Sequence, residues 1–142
     1  MNKRCYSGKK KKHTLKQQLL VDFKTSQILC TAGCEGKTHD FKLFQESGVS
    51  LSKYCWLLVD SGYQGIQKLI ENVLLPKKKS KYNPPTKQDK IYNKLLSQAR
   101  ILVENIIGKL KRFRIIADKY RNRRKRFQLR FNLIAAIYNR EI

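Results

Sequence analysis

Two carboxylates of the 142-residue sequence occupy positions that suit catalysis. The first, Asp60, directly follows the apolar segment 55–59, which has the unalternating pattern of a strand buried on both faces. Open α/β sheets bind their ligands at the carboxyl ends of such strands. Asp60 could equally cap the turn that begins at Ser61 and Gly62, and position alone does not separate these two interpretations.

Glu104 is the second candidate, and it lies on a predicted helix. At about 100° per residue it falls opposite an apolar stripe and shares a polar face with Arg100 and Lys111. Arg100 and Glu104 are four residues apart, so an ordinary ion pair on the helix surface is the alternative. Spacing alone favours that alternative.

A strand-end Asp and a helix Glu could together supply part of a metal site. Mg²⁺ prefers carboxylate oxygens, and two divalent ions about 4 Å apart can activate a nucleophile and stabilise a leaving oxygen in phosphodiester chemistry. Lysines and arginines around such a site would hold the polyanion but could not replace the metals. The expected cofactor is therefore Mg²⁺ or Mn²⁺.

The charge of the chain predicts a polyanionic partner. Lys and Arg number 32 against 10 acidic residues, a net charge of +22, and a charge this large repels itself in the folded state. Nucleic acid fits best because each neutralised phosphate releases a condensed counterion. The cations concentrate in three blocks, 1–20, 77–90 and 109–126. A ribosomal protein is a weaker alternative, because Asp60 would repel RNA unless a metal intervened.

Several classes of protein are not expected. The four cysteines contain no C-x2-C pair and the two histidines do not complete a zinc pattern, so reduced thiols are predicted. No apolar run is long enough for a membrane span. Since no apolar segment follows the first charged residues, a secretory signal is not expected, and the predicted location is the cytoplasm.

The pattern of the chain predicts a mixed α/β fold, with an antiparallel hairpin joined to parallel strands and surrounded by helices. Alternation and turn residues predict strands at 14–23, 26–32, 55–59 and 73–75, with Gly33 and Gly36 ending the second. Helical periodicity predicts helices at 39–46, 65–71, 88–116 and 126–138. Thr38 or Asp40 is expected to cap the first helix. The stripe of the long helix is predicted to be Leu95, Ala99, Val103, Ile106 and Leu110, and that of the last helix Phe127, Phe131, Ile134 and Tyr138.

Ordered motifs along the chain resemble the DDE-type transposases of bacterial insertion sequences, in particular the insertion-sequence-five group with its DDE superfamily endonuclease domain. The motifs are 6–16 (YSGKKKKHTLK), 36–44 (GKTHDFKLF), 60–65 (DSGYQG), 100–104 (RILVE), 107–113 (IGKLKRF), 120–127 (YRNRRKRF), 131–134 (FNLI) and 138–139 (YN). The third resembles the strand end that carries the family's second catalytic Asp, and the fourth resembles the helix that carries its Glu. The resemblance predicts that residues 1–142 form one partial DDE transposase catalytic domain.

The resemblance implies a ribonuclease-H-like fold and metal-dependent DNA cleavage and strand transfer. It implies that Asp60 and Glu104 are catalytic residues and metal ligands. For Glu104 this replaces the interpretation as a helix-surface residue that spacing alone favoured. Arg100 would meet the phosphate or orient Glu104. The residues it implies as DNA contacts are Lys77, Lys78, Lys79, Arg100, Lys109, Lys111, Arg112, Arg121, Arg123 and Arg124.

The sequence departs from the family pattern at the first acid. That Asp belongs to an opening strand before the motif at residue 6, and residues 1–5 contain no acid. Asp22 is better explained by a turn, and Asp40 by a helix cap, although Asp40 also resembles a family position near the site. We therefore expect a truncated fragment that is inactive alone, unless a neighbouring reading frame or an associated fragment supplies the missing strand. The expected partners are DNA, as transposon ends and target, and either a second copy of the chain or a fragment that supplies the missing strand. The alternative function is a non-catalytic basic DNA-binding module derived from a transposase.

Overall fold

The computed structural model describes residues 6–7, 12–78, 84–118 and 124–142, with the backbone alone at 6–7, 12–13 and 124. Two compact units divide the chain. We call Met1–Thr38 with Leu102–Ile142 the hairpin unit, and His39–Ile101 the Asp60 unit. Both units mix strands and helices, so the mixed α/β class is confirmed.

Six strands pair into three two-stranded sheets among the described residues. They are β1 (Tyr6–Ser7), β2 (Lys12–His13), β3 (Leu15–Val21), β4 (Ile28–Glu35), β5 (Leu57–Leu58) and β6 (Val73–Leu74). The first two pairs are antiparallel, and β5 with β6 is parallel. The predicted joining of the hairpin to the parallel strands is therefore not among the strand ladders that the structure describes.

The described residues also form four α-helices: α1 (Asp40–Glu46), α2 (Lys87–Leu110), α3 (Arg114–Ala117) and α4 (Phe127–Glu141). Short 3-10 helices cover Ser61–Tyr63, Ile66–Lys68 and Arg124–Arg126. The predicted helix at 65–71 is wrong. Gly65 has a left-handed backbone with φ 97°, which an α-helix cannot include, and only one 3-10 turn follows it.

The β3–β4 hairpin confirms the predicted pair of strands and the turn role of Asp22. The Asp22 carboxylate accepts the backbone N–H of Lys24 at 2.9 Å and the hydroxyl of Thr25 at 3.0 Å. These two donors lower the pKa of Asp22, the Lys24 bond first. Gly33 does not end the second strand as expected, because the ladder runs on until Glu35 pairs with Leu15.

The core of the hairpin unit brings α2 and α4 against β4. Its buried members are Ile28, Ile106, Leu110, Phe131, Ile134, Ala135 and Tyr138. The predicted inward stripe of α4 is thus confirmed, with Phe127 partly buried against this cluster. Polar bonds add to the apolar packing, since the Asn139 side chain donates to the Ile28 carbonyl and accepts the Ile28 N–H, both at 2.8 Å.

The long helix differs from its prediction in length and in phase. It ends at Leu110, after which the Arg112 and Phe113 N–H groups bond only three residues back, to the Lys109 and Leu110 carbonyls. The phase is wrong at the start of the stripe, because Leu96 is 6% exposed while Leu95 is 59% exposed. Two apolar neighbours differ by about 100° around the axis, and the sequence alone did not show which one faces inward.

Candidate active site

Asp60 lies at the carboxyl end of the parallel strand pair, as predicted. The Val59 N–H donates to the Leu74 carbonyl at 3.1 Å, so the pairing with β6 continues up to the residue before the carboxylate. Asp60 itself is exposed. However, β5 is shorter than the predicted strand 55–59, and Trp56 is 66% exposed. The prediction that segment 55–59 is a strand buried on both faces is therefore wrong for its first two residues, Cys55 and Trp56.

The two interpretations of Asp60 turn out to be compatible. Its side chain caps the Ser61–Tyr63 turn by accepting the Ser61 N–H at 2.5 Å, and its carbonyl accepts the Tyr63 N–H at 3.0 Å. The same carboxylate accepts a hydrogen bond from Arg100 Nη1 at 3.2 Å. The cap fixes the rotamer of the carboxylate, while half of the side chain stays exposed to a ligand.

Arg100 gives Asp60 a cationic partner from α2. Both side chains of the pair are substantially exposed, Arg100 at 39% and Asp60 at 49%. Ion pairs this exposed contribute little to folding because water competes for each charge. Arg100 therefore holds the Asp60 carboxylate by a weak ion pair, and a divalent cation could replace Arg100 as its partner.

Glu104 is exposed on α2, one helical turn after Arg100. Asp60 and Arg100 belong to the Asp60 unit, and Glu104 belongs to the hairpin unit. Within the described ranges no group of three or more His, Cys, Asp or Glu residues could hold a metal ion. Carboxylate donors of the kind that Mg²⁺ prefers are thus present, but the described residues do not complete a three-ligand set.

Helix α1 packs on the turn that carries Asp60. The Phe44 and Tyr63 rings meet edge to face with 6.4 Å between centroids. Neither predicted cap residue caps the helix, because the N-cap is His39 and it makes no side-chain bond there. Asp40 instead lies in the first turn of α1, against Gly62. Sequence reasoning missed this contact, and its one signal was a glycine two residues after Asp60.

The predicted DNA-contacting cations differ in their surroundings: some side chains are exposed, some are paired with an acid, and others lie outside the described residues. Exposed side chains at Lys78, Lys109 and Lys111 point to solvent, although Lys109 also lies 5.9 Å from the Tyr138 ring centroid. Arg112 pairs with Glu141 and stacks on Phe113. Lys79, Arg121 and Arg123 lie outside the described residues, and of Arg124 only the backbone is described, at the start of a 3-10 helix.

Lys77 is hydrogen-bonded to residues in the first turns of α2. Its Nζ donates to Asp89 Oδ1 at 2.5 Å, and its backbone exchanges two 2.9 Å bonds with the Asn93 amide. Asp89 also accepts the Thr86 N–H, while the Thr86 hydroxyl accepts the Asp89 N–H, a reciprocal capping box. The Lys77 hydrogen bond, before the Thr86 bonds, lowers the pKa of Asp89 to about 2, and Asp89 raises the pKa of Lys77.

An open cleft of 450 Å³ borders this anchor in the Asp60 unit. Its lining includes Gln64, Gln67, Lys77 and Lys78, and Asp60 is not part of it. Among the described cysteines, Cys30, Cys34 and Cys55 are free thiols, as predicted, and Cys5 lies outside the described residues. No described helix is long and apolar enough to cross a membrane.

Known proteins resemble the chain over nearly its full length. A family model described as DDE superfamily endonuclease matches residues 1–139. A probable transposase for insertion sequence element IS702 from Microchaete diplosiphon is 47% identical over 140 residues, which cover 99% of this chain and 51% of that protein. The chain thus spans about half the length of the curated relative it matches. No solved structure shows significant similarity to it.

Proposed function

The chain belongs to the DDE superfamily endonucleases, and from this premise we propose that it is the catalytic portion of an insertion-sequence transposase, which cleaves and joins DNA by metal-dependent phosphodiester chemistry. One observation carries the proposal. Asp60 stands exposed at the end of a parallel strand pair, with its carboxylate oriented by the Ser61 N–H and by Arg100. A rigidly held, accessible carboxylate of this kind suits a hard divalent cation.

In this proposal Asp60 and Glu104 coordinate Mg²⁺ or Mn²⁺. The bound metal supplies charge stabilisation at the reacting phosphate and an activated hydroxyl nucleophile. Glu104 is supported by its exposed position on α2 and by the resemblance of residues 100–104 to the helix that carries the family's Glu. The family match extends over both units, which supports a single partial catalytic domain at 1–142 with a ribonuclease-H-like fold.

Arg100 has two successive tasks in the proposed site. Without metal it neutralises Asp60 across a 3.2 Å hydrogen bond. With a divalent cation held by Asp60 and Glu104, the Arg100 guanidinium would be available to contact a phosphate, for which its planar fork is well shaped. This order of events needs a weak ion pair, and the exposure of both side chains supports one.

Exposed lysines and arginines hold the DNA backbone. Lys78, Lys109 and Lys111 present solvated charges, and Lys79, Arg121, Arg123 and Arg124 add to the same basic blocks of the sequence. Lys77 and Arg112 pair with Asp89 and Glu141 but stay substantially exposed, so the proposal keeps them as DNA contacts. Phosphate contacts of this type give affinity without sequence specificity.

The chain does not cleave DNA alone in this proposal. DDE chemistry by resemblance needs three acids, and the described residues contain no group of three acidic, His or Cys side chains that could hold a metal. A second polypeptide, either another fragment or another copy of the chain, supplies the remaining carboxylate. The second candidate function is a non-catalytic DNA-binding module derived from a transposase, which the net charge of +22 would also serve.

Metal binding separates the two candidates. Titration of the full chain with Mn²⁺, followed by electron paramagnetic resonance of the free ion, should show binding that Asp60→Ala and Glu104→Ala each weaken at least about tenfold. Glu46→Gln, an exposed acid at the end of α1, is the matched control and should bind normally. No Mn²⁺ binding by the unmodified chain would overturn the claim that Asp60 and Glu104 hold a metal without the second polypeptide, and would favour the DNA-binding module.

DNA binding and cleavage test the rest. Affinity for duplex DNA should fall steeply with salt, and the double variant of Lys109→Gln with Lys111→Gln should reduce the salt slope by about one for each phosphate that it no longer binds. Lys42→Gln, on α1 and outside the basic blocks, should leave the slope unchanged. Strand cleavage in Mg²⁺ or Mn²⁺ by the purified chain, abolished by Asp60→Ala, would overturn the claim that it is inactive alone.

A further inference from the structure

Three contacts in the Asp60 unit join α1 to the turn that carries Asp60. The Phe44 ring meets Tyr63 edge to face. The Phe41 ring lies against Gly65, where a Cβ would come within 3.3 Å of Phe41 Cε1. Asp40 makes the closest approach, because a Cβ at Gly62 would overlap its carboxylate Oδ2 and lie 3.2 Å from its Cγ.

These contacts give Gly62 a specific reason to be glycine. The residue has no positive φ that would require it, so backbone conformation does not explain it. The neighbouring carboxylate offers a reason, since a Cβ at position 62 would require the Asp40 carboxylate to shift. Asp40 is half-buried in this position and does not serve as the helix cap, which is His39.

The contact is transmitted to Asp60 through two hydrogen bonds of one short turn. Gly62 lies between Ser61, whose N–H holds the Asp60 carboxylate, and Tyr63, whose N–H holds the Asp60 carbonyl. Moving Gly62 would move both donors. The Asp40 carboxylate thus lies against the residue that joins the two donors to Asp60.

We propose that Asp40 is a positioning residue that seats the Ser61–Tyr63 turn through Gly62 and so holds Asp60 in its metal-binding orientation. The inference rests on the proposed function for the identity of the ligand, but the contact itself does not. Supporting side chains of this kind influence metal affinity strongly, because a ligand that is free to rotate must be ordered on binding. The approach of Asp40 to Gly62 is steric, so the inference predicts that the shape of residue 40 matters.

Three variants at position 40 distinguish shape from charge. Asp40→Asn keeps the shape and should retain Mn²⁺ affinity within about threefold, whereas Asp40→Ala vacates the seat and should lose about tenfold. Asp40→Glu keeps the charge but is too long for the space against Gly62, so it should also lose affinity. Glu46→Gln on the same helix is the control. If Asp40→Asn falls as far as Asp40→Ala, or if Asp40→Ala binds like the unmodified chain, the inference is wrong.

A second measurement decides the inference even if no metal binds. Amide hydrogen exchange of the Ser61 and Tyr63 N–H groups should quicken in Asp40→Ala and stay unchanged in Asp40→Asn. Gly62→Ala should quicken it as well, and the two effects should be less than additive in the double variant, because both disturb the same packing of residue 40 on residue 62. Unchanged exchange in Asp40→Ala would refute the positioning role, while absent Mn²⁺ binding with quickened exchange would refute only the proposed function.

Discussion

The hairpin unit and the Asp60 unit achieve order by different means. The hairpin unit packs one contiguous cluster of aromatic and aliphatic side chains against its strands and secures it with side-chain amides. The Asp60 unit fixes its candidate acid with short local bonds, two close glycine contacts and an exposed ion pair. The residues that stabilise the core of the hairpin unit are therefore different from those that orient the Asp60 carboxylate, and the two sets can be changed separately.

The largest effect is expected from the core of the hairpin unit. Phe131→Ala removes a ring that is 4% exposed within the cluster and should lower the free energy of unfolding by about 3–5 kcal/mol. Urea denaturation followed by circular dichroism measures it. Leu129→Ala, 60% exposed on the same helix, is the control and should change stability by less than about 0.5 kcal/mol. Similar losses for both variants would mean that α4 does not bury the predicted face.

Asn139→Ala should have the next largest effect. The Ile28 N–H and carbonyl both lose their side-chain partner, and unsatisfied backbone groups near the core cost about 1–3 kcal/mol. The same denaturation experiment measures the loss, with the exposed Asn105→Ala as its control. A cost no greater than that of the control would show that water replaces the Asn139 amide. The side-chain amides would then not be part of what stabilises the hairpin unit.

Two glycines, one in each unit, should respond oppositely to alanine, since one substitution should lower stability and the other should raise it. Gly65 has φ 97° and faces Phe41, so Gly65→Ala should cost about 1–2 kcal/mol from left-handed strain. Gly108 lies within α2 with open space around its Cα, so Gly108→Ala should stabilise by about 0.5–1 kcal/mol. Melting temperatures of the two variants test this, and a shift in the same direction would contradict the assigned backbone conformations.

The smallest effect concerns the start of α2 in acid. The Asp89 pKa is lowered to about 2 in the folded chain, mainly by the Lys77 hydrogen bond, from an ordinary value of 3.8. A lowered carboxyl pKa stabilises the fold above the unfolded value, and this stabilisation is lost as the pH falls through the folded value. The stability advantage of the unmodified chain over Asp89→Asn should therefore be complete above pH 4 and disappear towards pH 2. A difference that persists unchanged at pH 2 would exclude this ion pair as its source.

Periodicity and turn chemistry were sufficient to predict the regular parts of the fold from the sequence. The hairpin, α1, α4 and the parallel pairing near Asp60 were predicted because alternation, helical spacing and a polar link each leave a local pattern. The position of Asp60 at a strand end was confirmed for the same reason. Its role as a metal ligand with Glu104, like the DNA contacts, stays a proposal.

What the sequence did not predict depends on contacts between distant positions. The irregular turns at 61–68 follow from Gly65 and from the side chains of α1, which lie about twenty residues earlier. The place of Asp40 beside Gly62 is of the same kind, since neither residue alone indicates the other. Likewise, Leu95 and Leu96 are equivalent in hydrophobicity, and only packing separates them.

The bonds between the hairpin and α4 also have a consequence for biosynthesis. Gln17 donates to Gln128, and Ile28 to Asn139, across 111 residues in each case. A ribosome that adds about 5–20 residues per second needs roughly ten seconds to deliver these partners after the strands have emerged. During that interval the nascent hairpin lacks both the apolar side chains of α4 and its amide partners, so its packing is completed only when the last helix has been synthesised.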